Sequence, residues 1–119
     1  METFRFLNFK VYQDSKKFYN RIIELTEKIP RKLEYLVLQL RRSALSVILN
    51  IAEGSAKKSD RDFNRFLENS LGSINESLAC LEIILDHRLI TKEDFQELFL
   101  QGEEIAKQLG GLSKKLKSS

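Results

Sequence analysis

Apolar residues recur at alternating three- and four-residue steps along four stretches of the chain, the spacing that gathers them on one face of an α-helix. In the first, Val11, Phe18, Ile22, Leu25 and Ile29 share a stripe that only Ser15 interrupts, and Asn8 stands where an N-cap belongs. In the second the stripe is unbroken, Leu33, Val37, Leu40, Ala44, Val47 and Ile51, and Gly54 sits at a helix-stop position. The third opens with Ser59 and Asp62, close to a capping box with Asp in place of Glu or Gln, and runs Phe63, Leu67, Ser70, Ile74, Leu78, Leu81, Leu85. The fourth repeats the device with Thr91 and Asp94, followed by Phe95, Leu98, Gly102, Ile105, Leu109, Leu112 and Leu116.

Pro30 and the stretches 54–60 and 86–91 separate these segments, so helices are predicted near 9–28, 31–53, 60–86 and 92–116. Connections of a few residues make each helix antiparallel to the one before it. The expected fold is all-α, a single domain over residues 1–119 built as an antiparallel up-down-up-down four-helix bundle. Gly110-Gly111 lies inside the fourth helix at a cost of roughly 1 kcal/mol per glycine, and fraying is expected beyond it. Helix two has apolar residues to spare: Leu36, Leu38, Leu45, Ile48, Leu49 and Ala52 lie outside its main stripe. That surplus fits a self-associating surface, because a monomer would expose it as a large apolar patch; it equally fits a wide stripe shared by two neighbouring helices of one bundle.

Composition narrows the class. With 42% hydrophobic and 31% charged residues but only five Gly and one Pro, the chain lacks the turn residues that a many-stranded β fold requires. Its longest uncharged stretch, residues 43–52, is about half the length needed to cross a bilayer as a helix, so no membrane span is expected. The opening Met1-Glu2-Thr3-Phe4-Arg5 has no basic segment followed by an apolar run, and Cys80 is the one cysteine. Both fit a cytoplasmic protein without disulfides. The net charge of +3 is unevenly spread: residues 1–65 carry 14 Lys/Arg against 8 Asp/Glu, whereas residues 66–119 carry 6 against 9. An acid-free tail contains Lys107, Lys114, Lys115 and Lys117. Such polarity allows an anionic partner without demanding one.

No catalytic constellation emerges. A di-iron bundle needs Glu-x-x-His on two helices, yet His87 is the one histidine and Ile84 stands three before it. Cys80 and His87 are too few ligands for a structural zinc, and their separation along one helix is about 10 Å, too far for a nucleophile–base pair. Gly54-Ser55-Ala56-Lys57-Lys58-Ser59 lacks the second glycine and the preceding strand of a phosphate loop. A non-enzyme with no metal and no cofactor is expected.

Two polar features remain. On helix two, Gln39, Arg42, Ser46, Asn50 and Glu53 recur at helical spacing. A solvated face, a hydrogen-bond network between helices or subunits, and a ligand contact all fit that pattern. A basic cluster runs Arg41, Arg42, Lys57, Lys58, Arg61 and Arg65, to which helix one adds Lys16, Lys17 and Arg21, with Asp60 and Asp62 interleaved. Phosphate is its natural partner, and nucleic acid the natural source of phosphate; plain solvation is the competing account.

At helix two the chain resembles a known family. Pro30, Glu34-Tyr35-Leu36, Gln39-Leu40-Arg41-Arg42-Ser43, Ser46-Val47 and Asn50-Ile51-Ala52-Glu53-Gly54-Ser55 are similar to the signature of the bacterial four-helix bundle proteins encoded by intervening sequences inside 23S ribosomal RNA genes. Upstream, Phe9-Lys10-Val11-Tyr12-Gln13 looks like the family's opening; downstream, Ser59, Asp62-Phe63, Phe66-Leu67 and Gly72-Ser73 with Glu76 resemble its third helix. The likeness covers roughly residues 6–90, and helix four shares only the apolar rhythm. The resemblance implies a ring-like homo-oligomer, a pentamer, and a role near nucleic acid. The accessory protein of diversity-generating retroelements looks like a relative on the same scaffold, binding nucleic acid and a reverse transcriptase through a basic surface. The expected function is therefore non-enzymatic binding of RNA or other nucleic acid. The rival is a scaffold that docks a protein partner on the polar stripe of helix two.

Overall fold

The computed structural model describes residues 3–118, which form four α-helices, two short 3-10 turns and no strand. The helices are α1 (Lys10–Thr26), α2 (Glu34–Ser55), α3 (Asp60–Asp86) and α4 (Lys92–Lys117), with the 3-10 turns at Arg5–Asn8 and Arg31–Leu33. The protein is thus all-α. Hydroxyl caps begin two of the helices as the spacing predicts. The Ser59 side chain accepts from the Asp62 backbone N–H at 3.1 Å, and the Thr91 side chain from the Asp94 N–H at 2.9 Å.

Three local expectations are corrected. Asn8 does not cap α1: it closes the first 3-10 turn, and Phe9 takes the cap position with no side-chain bond to the first helical turn. Gly54 does not stop α2, which continues through Ser55. Its lack of a side chain serves packing instead, because a Cβ there would lie 2.7 Å from Cβ of Phe66. The fourth helix does not fray at Gly110-Gly111 but runs to Lys117, held by Leu112 and Leu116 against the core and by a hydrogen bond from Ser113 Oγ to Asn64 Oδ1 on α3. Three lysines in its last turn suit the negative end of the helix dipole.

The cross-helix bonds show how the helices pair. Ser43 meets Ser77 and Ser46 meets Ser73, so residue number rises along α2 as it falls along α3. Asp14 with Gln108 and Arg21 with Glu97 give α1 and α4 the same opposed order. α1 and α3 each pack on α2 and α4, leaving α2 and α4 at opposite corners. Phe18, Ile22, Leu40, Val47, Ile51, Ile74, Ile84, Leu98 and Ile105 fill one fully buried cluster between them. Burial of each such side chain contributes roughly 1.5–3 kcal/mol. Ser15, which interrupts the stripe of α1, is nonetheless wholly buried, and its hydroxyl finds no partner among the described residues.

Helix two divides its surplus. Ile48 is buried, whereas Tyr35, Leu38, Leu45 and Leu49 form an uncovered line with exposures of 69%, 51%, 38% and 55%. On the opposite corner α4 exposes Phe99 and Leu100. Among the described residues no helix is long and apolar enough to cross a membrane.

Candidate functional site

Opposed helix order brings the start of α1, the end of α2, the start of α3 and the end of α4 to one end of the molecule. The contacts there are specific. Arg5 Nε donates to the Ser55 carbonyl at 2.9 Å, joining the segment before α1 to the end of α2. Its guanidinium lies 5.2 Å from the centre of the Phe63 ring and 6.0 Å from that of Phe9, and these two rings stack at 6.4 Å and 13°. The Ser113–Asn64 bond ties the last turns of α4 to the first turns of α3. Phe9, Lys10, Gly111, Leu112 and Lys115 line one shallow groove between α1 and α4.

Four of the six basic residues singled out by sequence fall on this end face. Lys57 and Lys58 occupy the α2–α3 connection, and Arg61 and Arg65 the exposed side of the first turns of α3. Phe66 carries cations over its ring, with Lys57 Nζ at 5.0 Å and the Arg65 guanidinium at 4.9 Å. Arg41 and Arg42 are not part of it. They lie more than three turns back along α2, about 20 Å from Ser55 at 1.5 Å per residue, and Arg41 Nε donates instead to Thr26 Oγ1 at 3.0 Å, at the far end of α1. Arg21 is drawn away as well, ion-paired with Glu24, Asp94 and Glu97. Its pKa is raised, first by the hydrogen bond to Glu97.

The structure adds residues that the linear pattern did not group. Arg5 joins from the N-terminal segment, and Lys114, Lys115 and Lys117 from the last turn of α4. Their presence in the chain was visible, but nothing in one-dimensional spacing places residue 5 beside residue 55. Asp60, Asp62 and Glu68 interleave with these cations and temper the local field.

The polar stripe of α2 resolves into separate parts. Gln39 Nε2 donates to Glu76 on α3, Ser73 Oγ donates to Ser46 Oγ at 2.9 Å, and Asn50 Nδ2 donates back to the Ser46 carbonyl at 2.9 Å and hydroxyl at 3.0 Å. These three make hydrogen bonds inside the subunit, while Arg42 and Glu53 stay exposed. Cys80 is buried in the core cluster, and burial, with Glu76 nearby, pushes its thiol pKa up. Among the described residues no group of three His, Cys, Asp or Glu is placed to hold a metal ion.

Four helices around a single core, with an interhelical serine network and a basic, aromatic end face, define a small all-helical protein. Residues 7–111 match the model of the 23S rRNA-intervening sequence protein family, and the chain belongs to that family. The match reaches further into α4 than the motifs legible in the sequence. A solved structure of a protein of unknown function from the S23 ribosomal protein family of Bacteroides thetaiotaomicron is similar at 28% identity, covering 87% of this chain and 98% of that one, with a TM-score of 0.80. No curated protein matches the chain.

Proposed function

We propose that this protein is a non-enzymatic, cytoplasmic assembly of antiparallel up-down-up-down bundles that binds RNA or other nucleic acid through phosphate contacts. The observation that carries the reading is the convergence of Arg5, Lys57, Lys58, Arg61, Arg65 and the α4 lysines on one end of the bundle. Each such cation releases condensed counterions when it meets a phosphate, so modest contacts sum to a salt-dependent affinity.

A ring-like homo-oligomer, pentameric by the resemblance, is part of the proposal. The uncovered apolar line on α2 and the exposed Phe99 and Leu100 on α4 occupy opposite corners. Two different patches on one subunit suit a head-to-tail contact, which closes into a ring when the rotation permits. A ring repeats the basic end face around one axis and converts weak contacts into avidity.

Anisotropy with a structured RNA and a duplex DNA, from about 50 to 200 mM salt, tests the reading. Steeply salt-dependent binding that weakens for every sequence alike in the triple variant K57A/K58A/R61A is the expected result. No binding at low salt would sink it. Capture of a nuclease-resistant protein partner, lost on substitution of the α2 stripe, would favour the scaffold instead.

A further inference from the structure

The uncovered faces of α2 and α4 carry matching charge. On α2 the exposed residues Arg42, Leu45, Leu49 and Glu53 follow one another at three- and four-residue steps, so they share the outer side of the helix. On α4 the exposed residues Leu100, Glu103 and Lys107 do the same. In chain order the α2 face bears a cation and then an anion, and the α4 face an anion and then a cation. None of these four charged side chains enters an ion pair among the described residues, where Lys10 and Arg21 hold the salt bridges.

The two faces also lie at matching heights. Ser43 meets Ser77 across the α2–α3 interface, and a Cβ on Gly102 of α4 would lie 3.3 Å from the side chain of Leu78, the residue beside Ser77. Ser43 and Gly102 therefore mark one level of the bundle. Both α2 and α4 run opposed to α3, since Ser46 meets Ser73 and Ser113 meets Asn64, which makes α2 and α4 parallel to each other. A ring that repeats the end face has its axis along the bundle, and rotation about that axis preserves level and direction. The α2 of one copy then meets the α4 of the next in parallel and at the same height. At a rise of 1.5 Å per residue, Arg42 lies about 3 Å along the axis from Glu103 of the next copy, and Glu53 about 7.5 Å from its Lys107, a gap that two extended side chains span. Leu100 of the next copy falls beside Arg42, between Leu38 and Leu45.

This fit selects the occupant. Pairing α2 with its own copy across a two-fold axis would leave Leu100 in water, whereas α2 on α4 covers both apolar patches with one repeated contact and sets each charge near its opposite. We propose that a second copy of this chain docks its α4 on α2, with Leu100 seated between Leu38 and Leu45 and with Arg42–Glu103 and Glu53–Lys107 ion pairs fixing the register. The proposal rests on the ring reading of the assembly and narrows it from two apolar patches to a defined pair of helices.

Light scattering after gel filtration of the full chain, over a concentration series, tests the contact. Arg42→Glu and Glu103→Arg should each raise the concentration at which the assembly dissociates by about ten-fold, because each sets like charges together. The double variant R42E/E103R restores opposite charges and should recover the assembly of the parent. Circular dichroism of all three should match the parent, since both residues are exposed. A parent that assembles beyond two copies while either single variant assembles equally well, or while the double variant fails to recover, overturns the α2–α4 contact and leaves the ring standing. A parent that is monomeric at every concentration, or that stops at two copies, overturns both.

Discussion

Ser43 Oγ and Ser77 Oγ lie 2.8 Å apart in the buried interface between α2 and α3. Each hydroxyl also reaches a carbonyl of its own helix, Leu40 for Ser43 and Ser73 for Ser77, at 2.9 Å. One step along, Ser73 meets Ser46, and Ser70 Oγ donates to the Val47 carbonyl at 2.8 Å. Small hydroxyls let the two backbones approach closely and still leave no polar atom of these side chains stranded.

Closeness, more than hydrogen-bond energy, is what this interface needs. Ser43→Ala or Ser77→Ala should cost no more than about 1 kcal/mol, because the remaining hydroxyl keeps its own-helix carbonyl. Ser77→Val should cost about 1–3 kcal/mol by forcing the helices apart. Urea denaturation of the three variants distinguishes the cases, and an Ala variant as damaging as Val would contradict the account.

Glycines in this chain fall into two groups with opposite expected effects. Gly54→Ala should destabilise, since its Cβ would sit 2.7 Å from Cβ of Phe66 with no flexible tip to yield. Gly110→Ala and Gly111→Ala meet open space, with no atom within 4 Å, and should each stabilise α4 by about 1 kcal/mol. Thermal melts of the single variants supply the check: Tm falls for the first and rises for the other two.

Asp14 gives a pH signature. Burial works to raise its pKa, but hydrogen bonds from Lys10 Nζ at 2.6 Å and Gln108 Nε2 at 2.7 Å outweigh it and hold the carboxyl below its ordinary range. A lowered folded-state pKa contributes stability that is complete above the unfolded value and lost as pH falls through the folded one. Asp14→Asn should therefore be less stable than the parent at neutral pH and should converge with it below about pH 4. A constant difference in Tm from pH 7 to acid would refute this.

Oligomerisation should hinge on the uncovered line of α2. Leu45→Asp with Leu49→Asp places charge where a neighbour's apolar surface would sit, without touching the core of the subunit. Light scattering after gel filtration should show a parent of several subunits and a variant of fewer, with helical content preserved. A parent that elutes as a monomer would remove the ring from the proposal.

Much of this architecture is legible in one dimension because helix formation and burial are periodic. The apolar stripes located four helices, and Ser59 and Thr91 announced their N-termini through local chemistry that needs no distant partner. Lys57, Lys58, Arg61 and Arg65 were recognisable as a group since the α2–α3 connection keeps them adjacent. What periodicity did not carry was contact between residues far apart in the chain. Gly54 read as a helix stop until Phe66 of α3 occupied the space beside it. Arg41 and Arg42 left the basic group because a rise of 1.5 Å per residue carries them away from the end face, while Arg5 entered it through a bond to residue 55. The α2 stripe, equally compatible in sequence with water or a network, makes hydrogen bonds through Gln39 and Ser46 because α3 brings Glu76 and Ser73 within reach. Spacing tells which face a residue occupies; only the packed neighbour decides what that face meets.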